Sequence, residues 1–167
     1  MAPRADYQTL RVPFLPPDID KVAFGRLLTF LPMRMCNGQW DHTANILRWS
    51  LAPAASETSH CRIATITFLA SPDLTDFEDF LRGQIRKLCG DDTHLTVDVG
   101  FFGPTPLADP GNHAEIDIVA IHGLDGHAFN SWQAEKSPVM WLRDLLPEAI
   151  PKARIITYGY PAKLLKG

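Results

Sequence analysis

No stretch of this chain leaves folding fewer options than Ile116-Asp117-Ile118-Val119-Ala120-Ile121, followed at once by His122-Gly123-Leu124-Asp125-Gly126-His127. A β-branched run of this kind is a strand, and one so apolar is expected to be parallel and covered on both faces. The glycine turn behind it puts backbone N–H groups at the carboxyl edge of a sheet, where open α/β folds form their sites. Further on, Ser137-Pro138 reads as an N-cap with proline at the first helical position. Val139 to Leu146 then gives a helix with Trp141, Leu142, Leu145 and Leu146 on its apolar side, and Pro147 is expected to end it. Arg154 to Tyr158 is a second strand. The result is a βαβ unit, for which a right-handed crossover is close to obligatory.

The residues before it follow other rules. Tyr7 to Val12 alternates as a half-buried strand and meets Pro13, Pro16 and Pro17, which are expected to stop it. Asp18 is the expected cap of a helix with Phe24, Leu27, Leu28 and Leu31 on one face, closed by Pro32. Met33 to Thr43 has no periodicity. Asn45 to Leu51 and Arg62 to Leu69 alternate around a turn-rich segment and read as a hairpin. Ser71-Pro72-Asp73 opens a second helix, with Thr75 and Glu78 at capping-box spacing and Gly90 where a C-cap belongs. A short strand from His94 to Val99 completes the order strand, helix, strand, strand, helix, strand. That order predicts a ferredoxin-like α+β module. Gly100 to His113, rich in glycine and proline and holding the pair Phe101-Phe102, reads as an ordered linker.

Three readings compete for the turn at 122–127. A phosphate cradle is poorly matched, because neither GxGxxG nor GxxxxGK[ST] is present and Asp125 would stand beside the phosphate. A purely structural turn, with His122 and His127 hydrogen-bonded, is the second. The third is the His-Gly turn after a central strand of α/β-hydrolases, where the next backbone N–H faces the oxyanion. The sequence from Asp117 to His127, then Trp132, then Trp141 to Pro147, then Ala153 to Tyr160 resembles one family in order and spacing. It is similar to the lipase-like serine-hydrolase domain of fungal NACHT, ankyrin and TPR proteins of the NOD-like-receptor class. That domain is related to the serine-active-site-containing protein and the GPI inositol-deacylase group. The resemblance covers about residues 115–162. It implies that the Leu124 N–H is an oxyanion donor, that His122 and Gly123 shape the turn, and that Tyr158, Gly159 and Tyr160 end the next strand at the pocket edge. It also implies intracellular localisation, with peripheral association to a mitochondrial or endoplasmic-reticulum membrane.

The nucleophile elbow of that family, Gly-x-Ser-x-Gly, is found nowhere in the 167 residues, and its acid and histidine are equally unassigned. Ser131, Ser137, His127 and Asp125 are neighbours in sequence, but a nucleophilic serine needs a strained turn and an oriented base. Ser137 is better explained as a helix cap. Six histidines without HxxxH-type pairing and three cysteines without metal spacing give no metal site, and no cofactor is expected. The cysteines, Cys36, Cys61 and Cys89, fit buried thiols in a reducing compartment. A net charge of −3 gives no global pull toward nucleic acid. Laid on an RNA-recognition motif, the stacking places fall on Arg11, Ile63 and Thr65 rather than on aromatics. Trp40 and Trp49 are expected to pack in or beside the core. No stretch approaches the ~20 apolar residues of a membrane-spanning helix.

The expectation is therefore an α/β chain in three parts. A ferredoxin-like module spans 6–100, a linker 101–114, and the first part of an α/β-hydrolase domain 115–167. Such a fragment would have no nucleophile and would not be catalytic alone. Its partner would be the remainder of the hydrolase domain or another protein chain, and not nucleic acid. A short non-catalytic interaction module is the alternative.

Overall fold

The computed structural model describes residues 7–29, 33–34, 40–41, 46–55, 60–69, 72–89 and 95–163. Strand β1 (Gln8–Leu15) starts where the alternation does, but runs through Pro13 instead of stopping there. The register shifts between Val12 and Leu15, and Phe14 takes φ +62°, so a bulge absorbs the residue that lacks an N–H. Helix α1 (Lys21–Thr29) is capped by Asp20, not by the expected Asp18: its Oδ1 accepts the Ala23 N–H at 2.7 Å. A minimal hairpin pairs β2 (Met33–Arg34) with β3 (Trp40–Asp41). Strands β4 (Ile46–Pro53) and β5 (Arg62–Phe68) form the expected antiparallel hairpin. Helix α2 (Leu74–Cys89) is capped by Asp73, whose Oδ1 accepts from the N–H groups of Thr75 and Asp76. Glu78 is drawn away from capping by stronger partners. It pairs with Arg82 at 2.6 Å and accepts the Val97 N–H at 3.0 Å. The expected strand from His94 to Val99 shrinks to one bridge, in which Arg11 and Asp98 exchange both backbone hydrogen bonds. Leu31, Pro32, Cys36, Ser71, Gly90 and His94 lie outside the described residues.

The first sheet has the order β1, β5, β4, antiparallel throughout, with the Asp98 bridge beyond β1. One face is the core: Leu10, Val12, Ala64, Ile66 and Phe68 meet Phe24 and Leu28 of α1 and Phe77, Leu81 and Ile85 of α2. Trp49 packs at its margin, edge-on to Phe24 at 5.5 Å. The other face is hydroxylic, with Thr9 bonded to Thr67 at 2.9 Å and Ser50 to Thr65 at 2.7 Å. Those threonines are nonetheless buried, so something must cover them.

What covers them is the second half of the chain. Residues 101–114, expected as a linker, supply strand β6 (Gly103–Ala108). With β7 (Ile116–Ile121) and β8 (Ala153–Gly159) it forms a second sheet of order β6, β8, β7. β7 is parallel to β8, as expected, and β6 is antiparallel to it. Pro104 and Pro106 obscured β6 in the sequence. On an edge strand two prolines spaced by two can turn their missing donors outward, away from β8. β7 corrects another expectation. It is an edge strand rather than one covered on both faces: Val119 is 52% and Ile121 59% exposed.

The expected helix at 137–146 is also revised. Ser137 and Pro138 belong to a tight loop with Lys136 at φ +59° and the Ala134 N–H bonded to the Val139 carbonyl. Ser137 Oγ accepts the Val139 N–H at 3.2 Å, a local turn bond rather than a helix cap. The helix that follows is split into α3 (Trp141–Asp144) and α4 (Leu146–Ala149). Pro147 does not terminate it but sits in the first turn of α4, where no N–H is required. The second core gathers Phe101, Leu107, Ala120, Ala128, Phe129, Met140, Leu142, Ala153 and Ile155.

Candidate functional site

A cleft of about 390 Å³ opens at the carboxyl ends of β7 and β8, lined among others by Phe102, His122, Gly126, His127, Tyr160 and Lys163. Its floor is the turn that follows β7. The His122 ring is 4% exposed and stacks on Tyr160, with centroids 4.5 Å apart and planes 5° apart. Its Nε2 faces the Tyr160 N–H at 3.4 Å while its Nδ1 lies 2.9 Å from the Gly123 carbonyl, which selects the neutral tautomer protonated at Nδ1. The Tyr160 hydroxyl donates back to the His122 carbonyl at 2.9 Å. The turn closes through Gly126 N–H to Gly123 carbonyl at 3.1 Å and Asp125 N–H to Ala162 carbonyl at 3.0 Å, with Asp125 at φ +55°. Gly126 is so tightly packed that a Cβ would lie 2.9 Å from the Gly123 carbonyl and 3.1 Å from the His122 ring. Leu124 projects outward, 69% exposed, and its N–H meets no acceptor among the described residues.

Of the expected site residues, His122, Gly123, Leu124 and Tyr160 gather at this edge. Gly159 is beside them for a packing reason, since any side chain there would overlap the Phe101 carbonyl. Tyr158 does not reach the cleft. It pairs across from Ile121 and Pro104 on the opposite face of the sheet and is 42% exposed. Successive strand residues alternate faces, so only one of two neighbours can point at a site.

Among the described residues, Ser131, Ser137 and His127 are not linked to one another as a triad would require. Ser131 Oγ accepts the backbone N–H of His127 at 2.9 Å and makes no bond to that residue's ring. The His127 ring is occupied in holding the loops together. Its Nδ1 accepts from the Phe129 and Asn130 N–H groups, and its Nε2 donates to the Val99 carbonyl at 2.8 Å. No group of three or more His, Cys, Asp or Glu side chains among the described residues is placed to hold a metal ion. No family model, curated protein or solved structure matches this chain. The fold is mixed α/β, with two three-stranded sheets and no helix among the described residues long and apolar enough to cross a membrane.

The pair Phe101-Phe102 was legible only as a pair. Phe101 is fully buried at φ +53° and edge-on to His127, whereas Phe102 is 59% exposed at the mouth of the cleft. In the sequence Arg143 stands out only as part of the run Trp141 to Pro147. It is 5% exposed and lies between the two sheets. Nε and Nη2 fork onto Asp144 at 2.9 and 3.0 Å, and Nη1 donates to Thr65 at 3.2 Å and Thr67 at 2.9 Å. Its guanidinium also lies 5.0 Å over the Phe129 ring. Burial pushes its pKa down, and the hydrogen bonds and charge of Asp144 oppose that shift.

Proposed function

We propose that this chain is the N-terminal part of a lipase-like α/β-hydrolase domain of the NOD-like-receptor type, lacking its nucleophile and not catalytic alone. The observation that carries the reading is the Leu124 N–H, unpartnered among the described residues, directly after a His-Gly turn at the carboxyl edge of parallel β7 and β8. A developing oxyanion is stabilised by fixed dipoles, and a backbone N–H held in a closed turn is one. In the complete domain, acyl transfer from an ester to water would place the carbonyl oxygen there, with the cleft receiving part of the substrate. The uncovered edge of β7 supports the same reading, because a further parallel strand can join the sheet there. The sheet order of the N-terminal half, with the Asp98 bridge standing for a fourth strand, supports a ferredoxin-like module used for packing rather than for RNA. Membrane association at mitochondria or endoplasmic reticulum rests on the resemblance alone.

The purified chain should neither turn over short-chain nitrophenyl esters nor be labelled by a fluorophosphonate. Stoichiometric labelling of any serine would sink the proposal. A second reading, a non-catalytic interaction module, is favoured by the exposed apolar residues Val119, Ile121 and Tyr158 on the outer face of the second sheet. The coding sequence beyond Gly167 separates the two: an open frame bearing Gly-x-Ser-x-Gly supports the hydrolase, a stop the module.

A further inference from the structure

The wall of the cleft at Phe102 is held in place from the other half of the chain. Phe101 at φ +53° and Gly103 at φ +80° flank Phe102, so its backbone is not one the segment would adopt freely. Arg11, on β1, fixes it. Its Nη1 donates to the Phe102 carbonyl at 2.8 Å and to Thr105 Oγ1 at 3.1 Å, while Nε and Nη2 grip Asp98 Oδ2, each at 2.8 Å. The second oxygen of Asp98 accepts the Phe101 N–H at 2.8 Å. On the far side, His127 takes the Val99 carbonyl. One ion pair and one histidine therefore clamp residues 98–102, and the large apolar side chain left protruding into the cleft mouth is Phe102. The facing lining is Ala128, Pro161 and Ala162, and Lys163 at the rim brings a cation.

We propose that Phe102 is the ligand-contacting wall of this cleft and that Arg11 is the positioning residue that holds it, so that the N-terminal module tunes what the cleft binds. The ligand class the lining fits is a compact apolar ring or branched chain bearing one anionic group. This goes beyond the hydrolase reading and does not rest on it, because it concerns occupancy of the cleft and not the Leu124 N–H. Phe102 is exposed, so its truncation leaves both cores intact. Arg11 acts only through the clamp.

The test is an amide NMR titration of the full chain with 1-naphthoate, and with acetate as a control for the charge alone. Saturable shifts are expected at Gly126, His127 and Ala162 with naphthoate but not with acetate. Phe102→Ala should weaken naphthoate by about five- to ten-fold, the range of an aromatic contact. Arg11→Ala should weaken it in the same direction, and the double variant should match Phe102→Ala within about two-fold, because the two residues act as one unit. Arg11→Lys keeps the charge beside Asp98 but loses the fork, and should fall between wild type and Arg11→Ala. Multiplicative losses in the double variant, unchanged affinity in Phe102→Ala, or no saturable shift in the wild type would each overturn the proposal. The esterase and labelling assays remain separate from all of these outcomes.

Discussion

Arg143 is the residue on which the two sheets agree. Neither sheet alone could keep a guanidinium so deeply buried, because its donors need Asp144 from α3 and the hydroxyls of Thr65 and Thr67 from β5 at once. Truncating it would leave the Asp144 carboxylate, 7% exposed, with the Met140 N–H at 2.8 Å and, as its nearest remaining cation, the distant Arg48 at 3.9 Å. Arg143→Ala is therefore expected to cost about 3–5 kcal/mol in urea unfolding. The double variant with Asp144→Ala should lose less than the sum of the single losses. An Arg143→Ala loss under about 1 kcal/mol, in the range of a surface pair, would contradict this role. Nothing in the sequence announced it, since the threonines lie 78 and 76 positions away and no spacing rule reaches that far. Asp117 shows the exposed counterpart. The Arg154 guanidinium, hydrogen-bonded to it at 2.8 and 2.6 Å, holds its carboxyl below the usual range. A lowered folded pKa stabilises above the unfolded value of about 3.9, and that contribution is lost as pH falls through the folded one. Arg154→Gln should return the Asp117 carboxyl shift in an NMR titration toward its ordinary midpoint. An unmoved midpoint would mean the pair is not formed in solution.

The secondary elements were legible where a single local rule decides them. β1, the β4–β5 hairpin, α2 and the parallel β7–β8 pair all follow from alternation or helical spacing, and they form where those rules put them, although β1 runs past Pro13 to Leu15. Errors arose where a tertiary partner overrode the local signal. Glu78 left the cap for Arg82 and the Val97 N–H, and β6 formed despite Pro104 and Pro106 because β8 offered it an edge. The apolar run of β7 suggests double coverage because composition does not report which neighbours a strand has, and here β7 lies at the sheet edge with Val119 and Ile121 exposed. The first sheet carries a functional consequence. Its hydroxylic face, the surface an RNA-recognition motif would offer, is occupied by the second half, with Thr65 fully buried and Ile63 8% exposed. No salt-dependent binding to single-stranded RNA is expected at micromolar concentration, for want of both stacking and free phosphate donors on that face. Sequence-selective binding abolished by Arg11→Ala or Ile63→Ala would refute it.

At the scale of the molecule, two cores are joined by one polar seam. The first core is closed between its sheet and α1 and α2, and the second is closed only toward the seam. Its outer face presents Val119, Ile121 and Tyr158, and its margin presents Ile116, Trp141 and Leu145, all between 42% and 59% exposed. β7 adds a strand edge that pairs with no other strand among the described residues and carries no lysine or proline to discourage pairing. An apolar face and an open edge on the same strand associate with whatever completes them. If the second sheet is the beginning of a larger hydrolase sheet, the chain by itself should self-associate. Light scattering across roughly the micromolar concentrations at which open edges pair measures this directly. A mass that rises with concentration is expected, and a mass fixed at that of one chain throughout would show that neither the edge of β7 nor the apolar face beside it drives association.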